Sequence, residues 1–296
     1  MPTAIITGAN SGIANAFARL LIEEGWDVHA ADVETGAALQ SLQCRLHVLD
    51  VRSPDSISAF AAQLADKPVD VLLNVAGVMY PYEQDRLDTV SAAALEKVFQ
   101  VNTFGPLLLT QALLPNLLAR AGSVIGIVSS RVGSIGDNSS GGSYSYRASK
   151  AAVNSIGKSM AIDLKEKGIV VSLLHPGFVK TNLNPGSEPH PESVEPEEAA
   201  GKLWKVMMSK SIEDTGKFWH REGYELPCAK EEYGIYKAAV RPETEDYVAN
   251  GRIASEDAGY DGAVVRRPRS VSLDVGQRSR ILPKVAWTKP ALIEEA

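Results

Sequence analysis

The sequence predicts an α/β protein: a doubly wound parallel sheet carrying a C-terminal extension. Three observations predict it. Short β-rich runs alternate with helical patterns along most of the chain. Several of those runs are almost continuously apolar, as strands buried on both faces of a parallel sheet require. The first run empties into a glycine-containing turn that leads into an amphipathic helix.

The β-rich runs are TAIIT (3–7), DVHAAD (27–32), RLHVLD (45–50), VDVLLNVAG (69–77), SVIGIVSS (123–130), IVVSLLHPG (169–177) and TGKFWH (215–220). A helix is expected over 12–24, where Ile13, Phe17, Leu20 and Leu21 repeat at helical spacing and Gly25 stops the pattern. A second is expected over 53–65, opened by Ser53 as N-cap and Pro54 as first helical residue. The regular alternation ends near Pro227, so residues 1–228 are expected to form one doubly wound domain and 229–296 an extension. That extension has no β-α alternation; Glu231–Asp261 is mostly acidic, while Arg266–Lys289 holds seven basic residues against Asp274. A charge-rich, weakly periodic segment does not build a core, and a partly ordered extension is the simplest expectation.

The chain has 296 residues, 45% hydrophobic and 22% charged, with a net charge of −6. This is globular composition, and the mild acidity argues against nucleic acid as a partner. The two cysteines, Cys44 and Cys228, give neither a disulfide framework nor a Cys-rich metal site. No basic-then-apolar leader and no run of about 18 apolar residues is present. A cytoplasmic protein, with no membrane and no nucleic-acid partner, is the expectation; no metal site is expected either.

The chemistry-bearing motifs begin at Thr7-Gly8-Ala9-Asn10-Ser11-Gly12-Ile13-Ala14. Gly8 permits a sharp strand-to-helix turn, and Gly12 lets the helix N-terminus approach a pyrophosphate. Ala14 is small enough for helix–sheet contact. The plain alternative is an ordinary βα turn. Asp32 ends the second run, 20 positions after Gly12, where a carboxylate accepts the hydroxyls of an adenosine ribose and repels a 2′-phosphate. NAD is therefore the expected cofactor, with NADP the other candidate; a solvent-facing strand-end Asp is the plain alternative. Asp50, followed by Val51, ends the third run, where it could meet an adenine amine.

Ser129-Ser130 precede Tyr146 and Lys150, which share a helix face at i and i+4. An ammonium about 5 Å from a phenol contributes roughly 3 kcal/mol at an effective dielectric near 20. That would lower the phenol by about two pKa units and suit it to proton transfer at neutral pH. Tyr233 and Lys237 have the same spacing, yet nothing beside them supports a site, and a solvated helix face is the expectation there.

The ordered set Thr7–Ala14, Asn74-Val75-Ala76-Gly77, Asn102, Ser130, Tyr146 with Lys150, and Pro176-Gly177 resembles the short-chain dehydrogenase/reductase family over about residues 2–227. The stretches GGSYSYRASKAAVN and TGKFWHREGYELP are similar to C-factor-like carbonyl reductases. The resemblance implies a Rossmann-type fold, a nicotinamide cofactor, a small alcohol or carbonyl substrate and a homo-oligomer. It implies that Asn102 kinks its helix and holds a relay water, that Ser130 orients the carbonyl, that Tyr146 is the acid/base and that Lys150 binds the nicotinamide ribose and tunes Tyr146. It further implies cofactor contacts from Gly8, Ser11, Gly12 and Ile13, from Asn74, Ala76 and Gly77 on the adenine-ribose side, and from Pro176, Gly177, Val179 and Thr181 at the carboxamide. The C-factor-like subgroup often uses NADP; the electrostatics of Asp32 are weighted above it.

The substrate pocket is expected from Arg131–Gly142, Tyr80 and the 178–200 loop. His175 reads as a packed, hydrogen-bonded histidine, His190 as part of a substrate-side loop, and Trp204, Phe218 and Trp219 as core or pocket lining. The leading function is an NAD(P)-dependent oxidoreductase interconverting an alcohol and a ketone or aldehyde. A nucleotide-binding scaffold with a partner-binding tail is the alternative, which NADH oxidation against a carbonyl panel separates. A sugar-nucleotide epimerase would need T-G-x-x-G-x-x-G, which Gly8 and Gly12 do not fit.

Overall fold

A computed structural model describes residues 1–184 and 190–228. The C-terminal extension, with Tyr233 and Lys237, lies outside the described residues. Within them, seven strands form one parallel sheet: β1 (Thr3–Thr7), β2 (Asp27–Asp32), β3 (Arg45–Val48), β4 (Val71–Asn74), β5 (Val124–Val128), β6 (Val170–His175) and β7 (Phe218–His220). Their order is β3-β2-β1-β4-β5-β6-β7. The chain steps outward from β1 to β3, then restarts beside β1 with β4. The adjacent C-terminal ends of β1 and β4 therefore diverge and leave a crevice, the topological switch point of a doubly wound sheet.

Strand pleating explains the two cores. Ile5 and Leu72 point to one face and join Ile125, Leu109 and Leu173 there. Ala4, Ile6, Val71 and Leu73 point to the other and join Phe17, Leu21, Leu203 and Met207. The helices α1 (Gly12–Glu23), α2 (Ala37–Gln40), α3 (Pro54–Leu64), α4 (Ala92–Phe99), α5 (Gly105–Ala112), α6 (Leu114–Leu118), α7 (Tyr144–Lys165) and α8 (Pro196–Met208) complete the described fold. As the sequence leads one to expect, Ser53 caps α3 by accepting from Ser56 N at 3.2 Å, with Pro54 next. Trp204 on α8 is core: its ring meets Trp26 edge-on at 5.2 Å, and its Nε1 donates to Glu24. Phe218 and Trp219 are buried as well.

Beyond β7 the chain folds back on the outer edge of the sheet. Trp219 bridges Glu225 in antiparallel sense, His220 N donates to Tyr224 O at 2.9 Å, and Leu226 N donates to Phe218 O at 2.7 Å. None of the described helices is long and apolar enough to cross a membrane.

At the opposite side of the sheet, His29 on β2 is buried, and its Nδ1 lies 3.0 Å from His47 Nε2 on β3. Burial, reinforced by His47, pushes His29 down to about 4. Asp27 opposes that shift, while Lys67 and Arg45 add to it. A depressed histidine stabilises the fold above its unfolded value near 6.5, and that contribution is lost as the pH falls toward about 4. Urea unfolding at pH 7 and pH 4.5 should show His29→Leu losing less stability on acidification than the wild type. Identical losses would mean that His29 is not the titrating group.

Candidate active site

The crevice is built from the ends of β1, β4, β5 and β6. Thr7, closing β1, accepts from Val75 N and Ala76 N, both at 3.1 Å, and so stitches β1 to the segment after β4. The next residue turns the chain away from the sheet with φ +79°, and a Cβ there would lie 2.8 Å from Ala76 Cα. Only Gly8 meets both conditions without strain. The turn delivers α1, whose N-cap Ser11 makes no side-chain capping bond and whose first turn holds no acidic residue. The N-terminal amides of α1 are thus presented to the crevice without a protein anion in front of them.

The resulting cleft has a volume of about 1280 Å³. Gly8, Ser11, Gly12 and Ile13 line its floor. Asp32 lines one end; its Oδ2 accepts from Asn10 N at 2.8 Å and its Oδ1 from Val33 N at 2.7 Å, which fixes the carboxylate. Asp50 and Val51 line the same end, but Asp50 is held by Arg52, with Nη2 to Oδ2 at 2.7 Å. That guanidinium lowers the Asp50 carboxyl, so Asp50 meets the cleft already paired. Ala76 and Gly77 line the wall, whereas Asn74 does not: it is 3% exposed at the end of β4, and its Nδ2 meets no partner. Asn74 underlies the wall, since the strand end turns it into the fold.

At the other end, Ser130, Tyr146 and Lys150 face the cleft together. Ser130 follows β5 and caps the short turn Arg131–Gly133. Tyr146 and Lys150 come from adjacent turns of α7. Lys150 Nζ lies 5.6 Å from the Tyr146 ring centre and donates to Val128 O at 2.9 Å. The depressed phenol expected from sequence is absent. Burial pushes Tyr146 up to about 12, against a smaller lowering from its hydrogen bond with Ser130. Burial also pushes Lys150 down to about 8.

Asn102 sits in a π-helical stretch, Gln100–Phe104, which interrupts the α-helical pattern between α4 and α5. Its side chain does not line the cleft. Oδ1 accepts from Val78 N at 2.8 Å, while Nδ2 donates to Val78 O at 2.9 Å and to Ser149 Oγ at 3.1 Å. Both Nδ2 hydrogens are committed, so Asn102 acts on the site by fixing Val78 against α7.

Pro176, Gly177, Val179 and Thr181 follow β6 and line the cleft. His175 lines it too, accepting from Arg131 N at 3.3 Å, and burial pushes it down to about 3. It is the hydrogen-bonded histidine expected. On the substrate side, Phe178 and His190 stack with ring centres 3.8 Å apart. The expected pocket residues split: Val132 lines both the cleft and a separate recess of about 260 Å³, Gly133, Ser134, Ile135, Asn138, Gly141 and Gly142 border the recess, and Arg131 and Tyr80 line neither. Sequence reasoning misses two residues: Arg147, which lines the cleft beside Tyr146, and Arg221, which reaches Pro176 O. Arg147 was legible as the neighbour of Tyr146; the reach of Arg221 had no local signal. Among the described residues, no group of three or more His, Cys, Asp or Glu could hold a metal ion.

The cradle fits a dinucleotide. Gly8 and Gly12 line it without side chains, no acidic residue stands in the first turn of α1, and a fixed carboxylate stands at one end.

The family described as short chain dehydrogenase matches residues 2–192. A 1-hydroxy-2-glutathionyl-2-methyl-3-butene dehydrogenase of Rhodococcus sp. (strain AD45) is 40% identical over 226 residues, 75% of this chain and 98% of that protein. The protein named C-signal of Myxococcus xanthus is 40% identical over 171 residues, 57% of this chain and 98% of that protein. The crystal structure of NADPH-bound carbonyl reductase from chicken fatty liver is 31% identical, with a TM-score of 0.71, and the match covers 76% of this chain and 98% of that one.

Proposed function

Because the chain belongs to the short-chain dehydrogenase family, we propose that it interconverts an alcohol and a ketone or aldehyde, with NAD as cofactor and Tyr146 as the acid/base. The observation that carries this is the convergence of Ser130, Tyr146 and Lys150 at one end of a cleft whose other end is a dinucleotide cradle. The Rhodococcus relative is named as the dehydrogenase of a glutathionyl alcohol. The reading extends that alcohol chemistry, and not that substrate, to this chain.

The nicotinamide, when bound, donates or accepts the hydride. Every other requirement falls on the protein. Ser11, Gly12 and Ile13 would hold the pyrophosphate by backbone amides, Gly8 shapes the turn beside it with its own amide donated to Ala31 O at 2.8 Å, and Asp32 would hold the adenosine ribose. Asp50 and Val51 flank the adenine, Ala76 and Gly77 wall the adjoining ribose with Asn74 beneath them, and Pro176, Gly177, Val179 and Thr181 receive the carboxamide. Tyr146, protonated at neutral pH, donates from its Oη to a carbonyl oxygen as that oxygen becomes a hydroxyl. Ser130 Oγ donates a hydrogen bond to the same oxygen and orients it. Lys150 holds a ribose hydroxyl and places positive charge beside Tyr146 as its proton leaves.

Asp32 supports NAD over the NADPH of the chicken reductase. With NADP, a phosphate of charge near −2 would stand beside the carboxylate. At about 5 Å, the repulsion is roughly 1.7 kcal/mol even in water-like surroundings. Arg52, at the same end, is already paired with Asp50. Since tenfold in rate is about 1.4 kcal/mol, kcat/KM should favour NADH over NADPH at least tenfold. Asp32→Ala should erase most of that ratio. A carbonyl panel assayed with both cofactors measures it, and a wild-type preference for NADPH would sink the cofactor assignment. A panel with no turnover by either cofactor would sink the oxidoreductase reading itself.

A further inference from the structure

The TGKFWHREGYELP stretch contributes β7 and, just past it, Arg221. The Arg221 side chain is 10% exposed. Its backbone N donates to His175 O at 3.0 Å, which anchors it beside the end of β6. From there Nη1 reaches the turn that follows β6, donating to Pro176 O at 2.6 Å and to Phe178 O at 3.0 Å. Nε donates to Glu222 at 3.2 Å, and Glu222 is itself paired with Lys202. The guanidinium thus grips the carbonyls of the two residues that flank Gly177. It lies so close that a Cβ on Gly177 would be 2.5 Å from Nη1.

That grip has a consequence across one peptide bond. The C=O of Phe178 and the N–H of Val179 belong to the same planar trans peptide and point in opposite directions. Phe178 O is taken by Arg221 and by Val194 N, the latter at 3.2 Å. The Val179 N–H is therefore held pointing away from both. Among the described residues it meets no acceptor, and Val179 lines the cleft. A half-buried amide without an acceptor is costly unless a ligand or water supplies one. The cation on its carbonyl also polarises the peptide and makes the amide a better donor.

We propose that Arg221 is a positioning residue for the nicotinamide end of the cofactor. By holding Pro176 O and Phe178 O, it aims the Val179 N–H into the cleft as donor to a carboxamide oxygen. This rests on the oxidoreductase reading above and adds a residue that touches neither substrate nor cofactor. It also gives the stretch after β7 a role, since the last strand then supplies the clamp that shapes the turn after the strand before it.

The test compares two nucleotides. NADH carries the carboxamide; ADP-ribose lacks the nicotinamide but keeps the adenosine, the pyrophosphate and both riboses. Dissociation constants for both are measured by calorimetry on the full chain, for wild type, Arg221→Met and Arg221→Lys. Arg221→Met should weaken NADH about tenfold and ADP-ribose less than twofold. Arg221→Lys, which can reach one carbonyl but cannot grip two, should fall between. Equal weakening of both ligands would show a general structural role and overturn the proposal, as would no change in either. If Arg221→Met does not fold, the same NADH-to-ADP-ribose ratio is read in Arg221→Lys, and a ratio equal to wild type overturns the proposal. A wild-type chain that binds neither nucleotide overturns the oxidoreductase reading, and this proposal with it; when the wild type binds both, the ratio reports on Arg221 alone.

Discussion

Tyr146→Phe should lower kcat for carbonyl reduction by about 10²- to 10⁴-fold while leaving NADH affinity nearly unchanged. The range is that of a lost general acid. The ring is 8% exposed on α7, and phenylalanine fills the same space. What disappears is one proton. With the phenol pushed up to about 12, the wild-type residue is fully protonated at neutral pH, so it stands ready as a donor in reduction. Neither Ser130, whose hydroxyl is a far weaker acid, nor Lys150, turned toward Val128 O, replaces it. Tyr233→Phe, with the same sequence spacing to a lysine, is the control and should be silent. Retention of more than about half of wild-type kcat in Tyr146→Phe would refute the acid/base assignment.

The second large effect is expected where no charged group is touched. Gly133 ends the short turn that Ser130 caps, and it packs directly on α7. A Cβ at Gly133 would lie 2.6 Å from Lys150 C and 2.8 Å from Ala151 N. Comfortable carbon contacts begin at about 3.5 Å. The atoms in the way are helix backbone, which cannot rotate aside, so turn and helix must part by a large fraction of an ångström. Ser130 rides on the turn; Tyr146 and Lys150 ride on the helix. Misplacing catalytic groups by about 1 Å costs on the order of 10²-fold. Gly133→Ala should therefore reduce kcat by roughly that factor and destabilise the fold by about 1–3 kcal/mol, the usual range for overpacking. Gly201→Ala, in α8 with open space around its Cα, should be neutral or slightly stabilising. Steady-state kinetics and thermal melts on both variants decide it; a Gly133→Ala enzyme with kcat within twofold of wild type would show that the turn yields without moving Ser130.

Local patterns made the scaffold legible. Each of the seven β-rich runs contains its strand, and Gly8 marks the turn because only one residue type tolerates that backbone. Tyr146 and Lys150 share a face because helical geometry puts residues four apart together. The failures have one cause in common: they depend on depth and direction across the fold. Sequence spacing brings Lys150 near Tyr146 but does not say that its Nζ turns to Val128 O, or that burial outweighs the charge. Asn74 carries the right chemistry one strand residue too deep. Asp50 meets Arg52 two positions on, where backbone curvature folds the pair together. Arg221 is 45 residues from Pro176 and meets it only because β7 lies beside β6.

The fold-back beyond β7 bears on how copies of this chain can meet. An open strand edge is a row of unpaired amides and carbonyls that another chain can extend. Here Tyr224, Glu225 and Leu226 lie along that edge and take up its backbone groups, and Lys210 Nζ sits 3.6 Å above the Trp219 ring. A second copy approaching β7 would find those pairings already made and cations alongside. A strand added directly to β7 would have to displace Tyr224, Glu225 and Leu226 and break those pairings.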